Sequence, residues 1–334
     1  MPGRASAGPV PCPLPSPSPK PSKVPSGSCR AFAPAAHRTA RLLSHRRGLA
    51  ENGPAGFHGR TEARAELRSC TVAALDQLKA SPDVTVSEIT GYGHYIYVMN
   101  VTQKPFDDVN VRTAIKYSMP RDEILEKVFL GHGTVGNDNP IAPTVKFAID
   151  PQPKHSYDPA KAKEYLKKAG LETLAFDLSV ADAAFAGAVD SAILWKEKAK
   201  AAGIDINVIK EPDDGYWDNV WLKKPFVASY WSGRPTVDWM MTTAYAADAS
   251  WNDTFWKNPK FNELLVAARS ETDEAKRAAM YAEMQQILHD DGGLVNMLFN
   301  SYVEAHTKNL GHGKVAANWQ LDGMRVAERW WFTS

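Results

Sequence analysis

Leu174-Ala-Phe-Asp-Leu-Ser-Val180, the helical stretch from Phe185 to Ala202, and Ile204-Asp-Ile-Asn-Val-Ile209 together decide the fold class. The two flanks are short, apolar and partly β-branched, as buried strands are, and the middle has the length of a helix. A strand–helix–strand unit of this size requires a crossover, so it predicts a parallel pair with a right-handed connection.

Working outward, Phe226–Trp231 reads as a further apolar strand that ends in the turn Ser232-Gly233-Arg234-Pro235. Helices follow at about 259–270 and 273–290, and a last strand at Leu294–Glu304. In the other direction, Asp158-Pro159 supplies an N-cap with proline in the first helical position, and Lys167, Lys168 and Gly170 mark the end of that helix. Residues 132–156, with Pro140, Pro143, Pro151 and Pro153, read as a long surface loop. Before it, Asp108 or Asn110 caps a helix carrying Val111, Ala114, Ile115 and Met119, which Pro120 stops. A second helix buries Ile124, Leu125, Val128 and Phe129 and ends near Gly131. His94-Tyr-Ile-Tyr-Val-Met-Asn-Val101 is a strand rich in aromatic and β-branched residues. The pattern is α/β, with helices covering a mixed sheet.

Composition divides the 334 residues near position 72. Residues 1–72 hold 11 Lys and Arg against three acids, Glu51, Glu62 and Glu66, whereas the remainder has 28 basic and 35 acidic side chains, a net of −7. All ten Trp and all eleven Tyr lie beyond residue 72, and 11 of the 23 prolines lie in the first 60. A Pro/Ser/Arg-rich segment of this kind does not offset its chain entropy by apolar burial, so residues 1–72 are expected to be a disordered leader foreign to the fold. Such a start also has the composition of an organelle transit peptide; a misread start is the favoured reading. The body, residues 73–334, is then the folded part. Its mild acidity argues against a phosphate-backbone partner, so no nucleic acid is expected. No secretory signal and no run of 18 apolar residues is visible, so no membrane span is expected.

Catalytic signatures are lacking. Cys12, Cys29 and Cys70 all lie in the leader, which excludes a thiolate metal site or a cysteine nucleophile in the body. No Gly-x-Gly-x-x-Gly, Walker, His-Glu-x-x-His or Gly-x-Ser-x-Gly motif occurs. His132 and His312, each between two glycines, read as solvated loop residues, not metal ligands. Asp213-Asp214-Gly215 lacks the later ligands of a calcium loop. Asn100-Val-Thr and Asn252-Asp-Thr are glycosylation sequons only by spelling. Neither a catalytic residue nor a cofactor or metal is predicted.

Aromatic residues carry the functional signal. Tyr230, Trp231, Trp239, Tyr245, Trp251 and Trp256 fall within 27 residues, interleaved with Arg234, Asp238 and Asn252. Stacking faces with sparse polar anchors suit a small-molecule cleft, although most such rings fill cores. Arg234 directly follows a buried strand end, where open α/β sheets present ligands. The candidate ligand-binding set is Tyr230, Trp231, Gly233, Arg234, Asp238, Trp239 and Tyr245.

Lys104-Pro-Phe-Asp-Asp-Val-Asn-Val-Arg-Thr-Ala-Ile115 resembles the Pro-Phe-x-Asp-x-x-Val-Arg-x-Ala signature of the family 5 extracellular solute-binding proteins of ABC importers, which take dipeptides, oligopeptides or nickel. The resemblance continues through Arg121-Asp-Glu-Ile124, Tyr157-Asp-Pro-Ala-Lys-Ala-Lys163, Asn258-Pro-Lys-Phe261 and Lys276-Arg277 to Tyr281. It implies a type II periplasmic-binding-protein-like fold, of which this chain holds the second lobe plus the interlobe strands, with the first lobe largely missing. It implies an importer subunit that is periplasmic or extracellular, closes two lobes on its solute, and docks on a permease. Half a cleft is expected to bind weakly or not at all. Pro105, Phe106 and Arg112 are expected to hold the fold, Arg112 by pairing with a carboxylate.

In peptide binders of the family, an Asp shortly after the Trp of this strand end pairs with the ligand's amine; here Arg234 stands in Trp231-Ser-Gly-Arg234. A guanidinium suits carboxylate or phosphate, so an anionic solute is expected: an opine, an acidic peptide conjugate or a sugar phosphate. Asp238 remains available for an amine, or else pairs with Arg234 and closes the turn. The alternatives are a functionless remnant of such a protein and a hydrolase using Asp213 and Asp214.

Overall fold

The computed structural model of the chain describes residues 40–43, 64–69 and 75–333. Its strands are β1 (Ala40–Leu43), β2 (Arg64–Ser69), β3 (Val84–Met99), β4 (Gly133–Val135), β5 (Leu174–Val180), β6 (Ile204–Lys210), β7 (Phe226–Trp231), β8 (Leu294–Thr307), β9 (Leu310–His312) and β10 (Trp330–Phe332). The helices are α1 (Leu75–Lys79), α2 (Val109–Tyr117), α3 (Arg121–Lys127), α4 (Pro159–Lys168), α5 (Ala188–Ala199), α6 (Tyr216–Asn219), α7 (Val237–Ala244), α8 (Pro259–Ser270), α9 (Glu274–Asp291), α10 (Gln320–Met324) and α11 (Val326–Arg329).

Helix starts follow the capping residues. Asp158 Oδ1 accepts from the Lys161 amide, Asn258 Oδ1 from that of Phe261, and Asp273 Oδ1 from those of Ala275 and Lys276. Of the two candidates for α2, Asp108 is the cap, accepting from the Asn110 amide at 2.7 Å.

The large sheet has the order β1-β2-β8-β3-β7-β5-β6, with β4 added on β8. β5 and β6 pair in parallel over their whole length, Leu174↔Ile204 to Val180↔Lys210, and β5 is parallel to β7, as the strand–helix–strand reading requires. α5 covers one face. Tyr97 donates to the Ala188 carbonyl at 3.0 Å, its ring lies 5.3 Å from Trp195, and Tyr95 stacks on Phe185 at 4.5 Å. The segment after β7 covers the other face, where Trp231 meets Trp251 and Ser229 donates to Asp253.

Several elements differ from the sequence reading. β3 begins at Val84, not His94, and β8 continues to Thr307. The register between them shifts between Thr90 and His94, around Gly91-Tyr92-Gly93. A Cβ on Gly91 would lie 2.6 Å from the Tyr302 ring, and one on Gly93 2.5 Å from Asn300 Oδ1, so the crossing strands approach too closely there for side chains. β8 is not the last strand, since β9 and β10 form a separate hairpin-like pair. β4 and α7 were not anticipated. β1 and β2 lie within the stretch read as a disordered leader; the rest of that stretch lies outside the described residues.

The 132–156 stretch is not simply a surface loop. Asp138, Asn139, Pro140, Ile141 and Ala142 are buried. Buried loop backbone needs polar partners, and this one has them. Asp138 accepts from Arg121 at 2.7 Å and from the Asn296 amide at 2.9 Å, while Asn139 donates to Gln285 at 3.1 Å. His155 lies against Asp138 Oδ2 at 2.8 Å and stacks on His289 at 4.0 Å.

The signature residues hold the fold, as expected. Phe106 is buried against Phe176 and Phe226. Arg112 pairs with Asp291 at 2.6 Å and also donates to the carbonyls of Phe106 and Asp107, tying the start of α2 to the end of α9.

Candidate functional site

β5, β6 and β7 run in parallel and end on the same side, at Val180, Lys210 and Trp231. Loops leaving the carboxyl ends of parallel strands are where open α/β sheets receive ligands. The loop after β7 is Ser232–Pro235, and Thr236 then caps α7, its Oγ1 accepting from the Trp239 amide at 3.2 Å. Gly233 is fixed by space. A Cβ there would lie 2.5 Å from both the Asn318 carbonyl oxygen and Tyr92 Cβ.

Trp231 is buried and tilts against Trp251 at 6.0 Å. The half-buried Arg234 guanidinium lies 5.9 Å from the Trp231 ring. Arg234 Nη1 donates to Ser232 O at 3.0 Å and to Ser232 Oγ at 2.8 Å. Among the described residues no carboxylate lies within the 4.0 Å of an ion pair with it. Burial lowers its pKa, but a guanidinium remains charged at neutral pH. His94 faces Trp231 across the β3–β7 ladder. Its ring is fully buried with neither nitrogen hydrogen-bonded among the described residues. Burial, with a smaller push from the Arg234 charge, holds its pKa down to about 3, so it is neutral.

Tyr230 is half-buried, pairs with Tyr95 in the ladder and meets Trp217 edge-on at 5.5 Å. Burial raises its hydroxyl pKa, and the Arg234 cation opposes that rise. The structure thus brings Tyr230, Trp231, Gly233 and Arg234 together at one strand end. The other three candidates lie on α7 or at its end. Asp238 pairs with Arg269, Nε to Oδ1 2.8 Å, and not with Arg234. Trp239 is 54% exposed on α7. Tyr245 is fully buried, its hydroxyl without a partner among the described residues, and burial and then Asp253 raise its pKa. Ser232 was absent from the candidate set. Its signal in the sequence is a hydroxyl two residues before an arginine in a tight turn.

Other motifs find structural uses. Asp213 Oδ1 accepts from the Ala183 amide at 2.9 Å. His132 sits 2.9 Å from Glu88, and His312 stacks on Trp330 at 4.2 Å, so neither is simply a solvated loop residue. Asn100 and Asn252 are buried, with side chains bonded to Thr102 and to the Ala246 and Trp256 carbonyls respectively. Among the described residues no group of three or more His, Cys, Asp or Glu is arranged to hold a metal, and no helix is long and apolar enough to cross a membrane.

The sequence profile described as bacterial extracellular solute-binding proteins, family 5 Middle, matches residues 67–253, more than half of the chain. The chain belongs to this family. Its members are periplasmic or extracellular solute-binding proteins, and the matched span includes β7 and the Arg234 turn. The glutathione-binding protein GsiB of Salmonella typhimurium strain LT2 is 26% identical over 246 residues, covering 70% of this chain and 46% of that protein. GsiB of Escherichia coli strain K12 is 25% identical over 247 residues, with the same coverage. This family 5 chain therefore spans about half the length of the relatives it matches.

Solved structures agree on the fold. The binding protein DppA of Helicobacter pylori, in complex with the peptide STSA, superposes with a TM-score of 0.67 at 23% identity, over 75% of this chain and 51% of that one. The substrate-binding protein CtaP of Listeria monocytogenes gives 0.70 at 17% identity, over 80% and 56%. NikA of Staphylococcus aureus, in complex with Ni(L-His)2, gives 0.64 at 17%, over 75% and 55%. The mixed α/β sheet is thus that of a type II periplasmic binding protein, and the chain covers about half of each of these structures.

Proposed function

We propose that the chain belongs to the solute-binding component of an ABC importer, and that its solute is peptide-like with a free carboxylate received by Arg234. The observation that carries this reading is a charged, half-buried guanidinium at the carboxyl end of β7, with no carboxylate in ion-pair range among the described residues. A charge held in that state at a cleft wall favours a ligand of opposite sign. The names of the relatives point the same way: glutathione is a peptide-like anion, and the peptide STSA carries a C-terminal carboxylate. Tyr230, half-buried beside Trp217, forms the apolar part of the wall, Trp231 packs on Trp251 under the turn, and Gly233 lets the turn lie flat against Asn318 and Tyr92.

The proposed role is solute binding, the role that the family description and the names of the relatives carry. Solute binding closes two lobes, and the closed form docks on the permease. The test is a tryptophan-fluorescence titration, with Trp231 as the reporter beneath Arg234. At the high solute concentrations that the weak binding of half a cleft requires, glutathione and short peptides with free C-termini are expected to change the emission of the wild type, and Arg234→Ala is expected to lose about tenfold or more in affinity for them. An Arg234→Ala chain that binds every one of these solutes as well as wild type would sink the proposal.

A further inference from the structure

The acceptors chosen by the guanidinium lead one step further, and that step rests on the reading that Arg234 receives the solute. Both hydrogen bonds of Arg234 leave the same nitrogen, Nη1, and both end on Ser232, at the carbonyl oxygen (3.0 Å) and at Oγ (2.8 Å). Nη1 carries two protons, and Ser232 holds this nitrogen through both of its acceptors. Nη1 lies on the same side of the Nε–Cζ bond as Cδ. The opposite edge therefore presents Nε–H and one Nη2–H, side by side and parallel, and neither has a partner among the described residues. That edge matches the two oxygens of one carboxylate. The end-on pair of Nη1 and Nη2 is no longer offered.

We infer that Ser232 is a positioning residue for solute recognition: by holding Nη1 it presents the Nε–Nη2 edge of Arg234 and so selects a solute with an unesterified carboxylate. Two further features hold the geometry. The peptide between Ser232 and Arg234 runs through Gly233, where the Asn318 carbonyl oxygen and Tyr92 Cβ each come within 2.5 Å of an added Cβ, so the turn has no room to move on that side. The Trp231 ring, 5.9 Å from the guanidinium, adds a weak attraction that favours the same placement. Removing Oγ leaves only the Ser232 carbonyl, and a single acceptor does not stop the group from turning and offering its other edge.

The experiment uses the full chain as wild type, Ser232→Ala, Ser232→Thr and Arg234→Ala. It follows the nitrogen-resolved NMR signals of the Arg234 side chain without ligand, then titrates glutathione and glutathione diethyl ester. In wild type the Nη1 protons should be resolved and slow to exchange, and glutathione should be preferred over the diester. Ser232→Ala should merge the Nη1 and Nη2 signals and reduce the preference for glutathione by about three- to tenfold, the loss of one charge-assisted hydrogen bond. Ser232→Thr, which keeps the hydroxyl, should restore both. Unchanged Nη1 signals in Ser232→Ala, or altered signals with an unchanged preference, overturn the role of Ser232 and leave the Arg234 reading standing. A wild-type chain without preference, or an Arg234→Ala chain that keeps it, overturns the reading on which the role rests.

Discussion

Arg269 holds Asp238 across α7 and α8, Nε to Oδ1 at 2.8 Å, and so commits elsewhere the carboxylate nearest in sequence to Arg234. The same guanidinium also reaches Thr242 through Nη2. An Asp238–Arg234 pair would have closed the turn and neutralised the strand end. With Asp238 committed to Arg269, the hydrogen bonds of Arg234 among the described residues go to Ser232.

Asp238 is consequently expected to matter little for the solute. The Asp238–Arg269 pair is partly exposed, with side chains 31% and 45% accessible, and pairs of that kind contribute about 0.2–1 kcal/mol. Asp238→Asn should lower stability by no more than that in urea unfolding and leave solute affinity unchanged. A large loss of affinity with stability intact would give Asp238 the amine-binding role that its pairing argues against.

Gly233→Ala should be costly where Ser232→Ala is mild. The added methyl meets a backbone oxygen and a Cβ at 2.5 Å, and neither is the free end of a flexible side chain. Overpacking of this kind costs about 1–3 kcal/mol, so the urea midpoint should fall clearly. A midpoint within error of wild type would mean that the 318–319 segment is free to withdraw.

Arg121 and Asp138 form a fully buried pair at 2.7 Å, and the same guanidinium donates to the carbonyls of Lys116, His155 and Asn296. Arg121→Met should destabilise by about 3–5 kcal/mol, because it leaves a buried carboxylate short of its cation. The double variant with Asp138→Asn should recover part of that loss in the same unfolding assay. Additive losses would show that the two side chains act independently.

The neighbouring histidines set an acid limit. Burial outweighs the pull of Asp138 and holds the pKa of His155 down to about 4, and burial also lowers that of His289. The unfolded chain then takes up protons first as pH falls below about 6.5, so stability is fully present above that pH and declines toward pH 4. Lys116, which burial lowers to about 8, is protonated in both states within that window and adds nothing to the slope. With His94, held down to about 3, adding to the same slope, unfolding midpoints measured from pH 7.5 to about 4.5 should fall by the equivalent of roughly 3–6 kcal/mol. His155→Asn, which keeps a donor toward Asp138, should flatten part of the slope. A wild-type midpoint that is level across the range would contradict the assignment.

Local signals made much of this fold readable. The β5–α5–β6 unit, β7, and the capped starts of α4, α8 and α9 all follow from short-range chemistry at Asp158, Asn258 and Asp273. The expectation that Arg112 finds a carboxylate was met by Asp291, far along the chain, yet the partner itself was not legible. The first half of β3 was missed because Gly91-Tyr92-Gly93 interrupts the strand pattern where Asn300 and Tyr302 press on the backbone. Within the candidate site, an aromatic cluster does not distinguish a buried ring such as Tyr245 from one at the strand end such as Tyr230, since burial depends on what the tertiary fold lays over each. Ser232 escaped notice for a related reason. A hydroxyl two residues before an arginine in a turn marks it as a possible partner, but which nitrogen of Arg234 it holds is set by the folded turn.

The central claim is that Arg234 receives a carboxylate of the solute. Calorimetric titration of glutathione and its diethyl ester into wild type and Arg234→Ala tests it most directly. Wild type should bind glutathione about tenfold or more tightly than the diester, and Arg234→Ala should bind both with the weaker affinity. Equal discrimination by the two chains would contradict it.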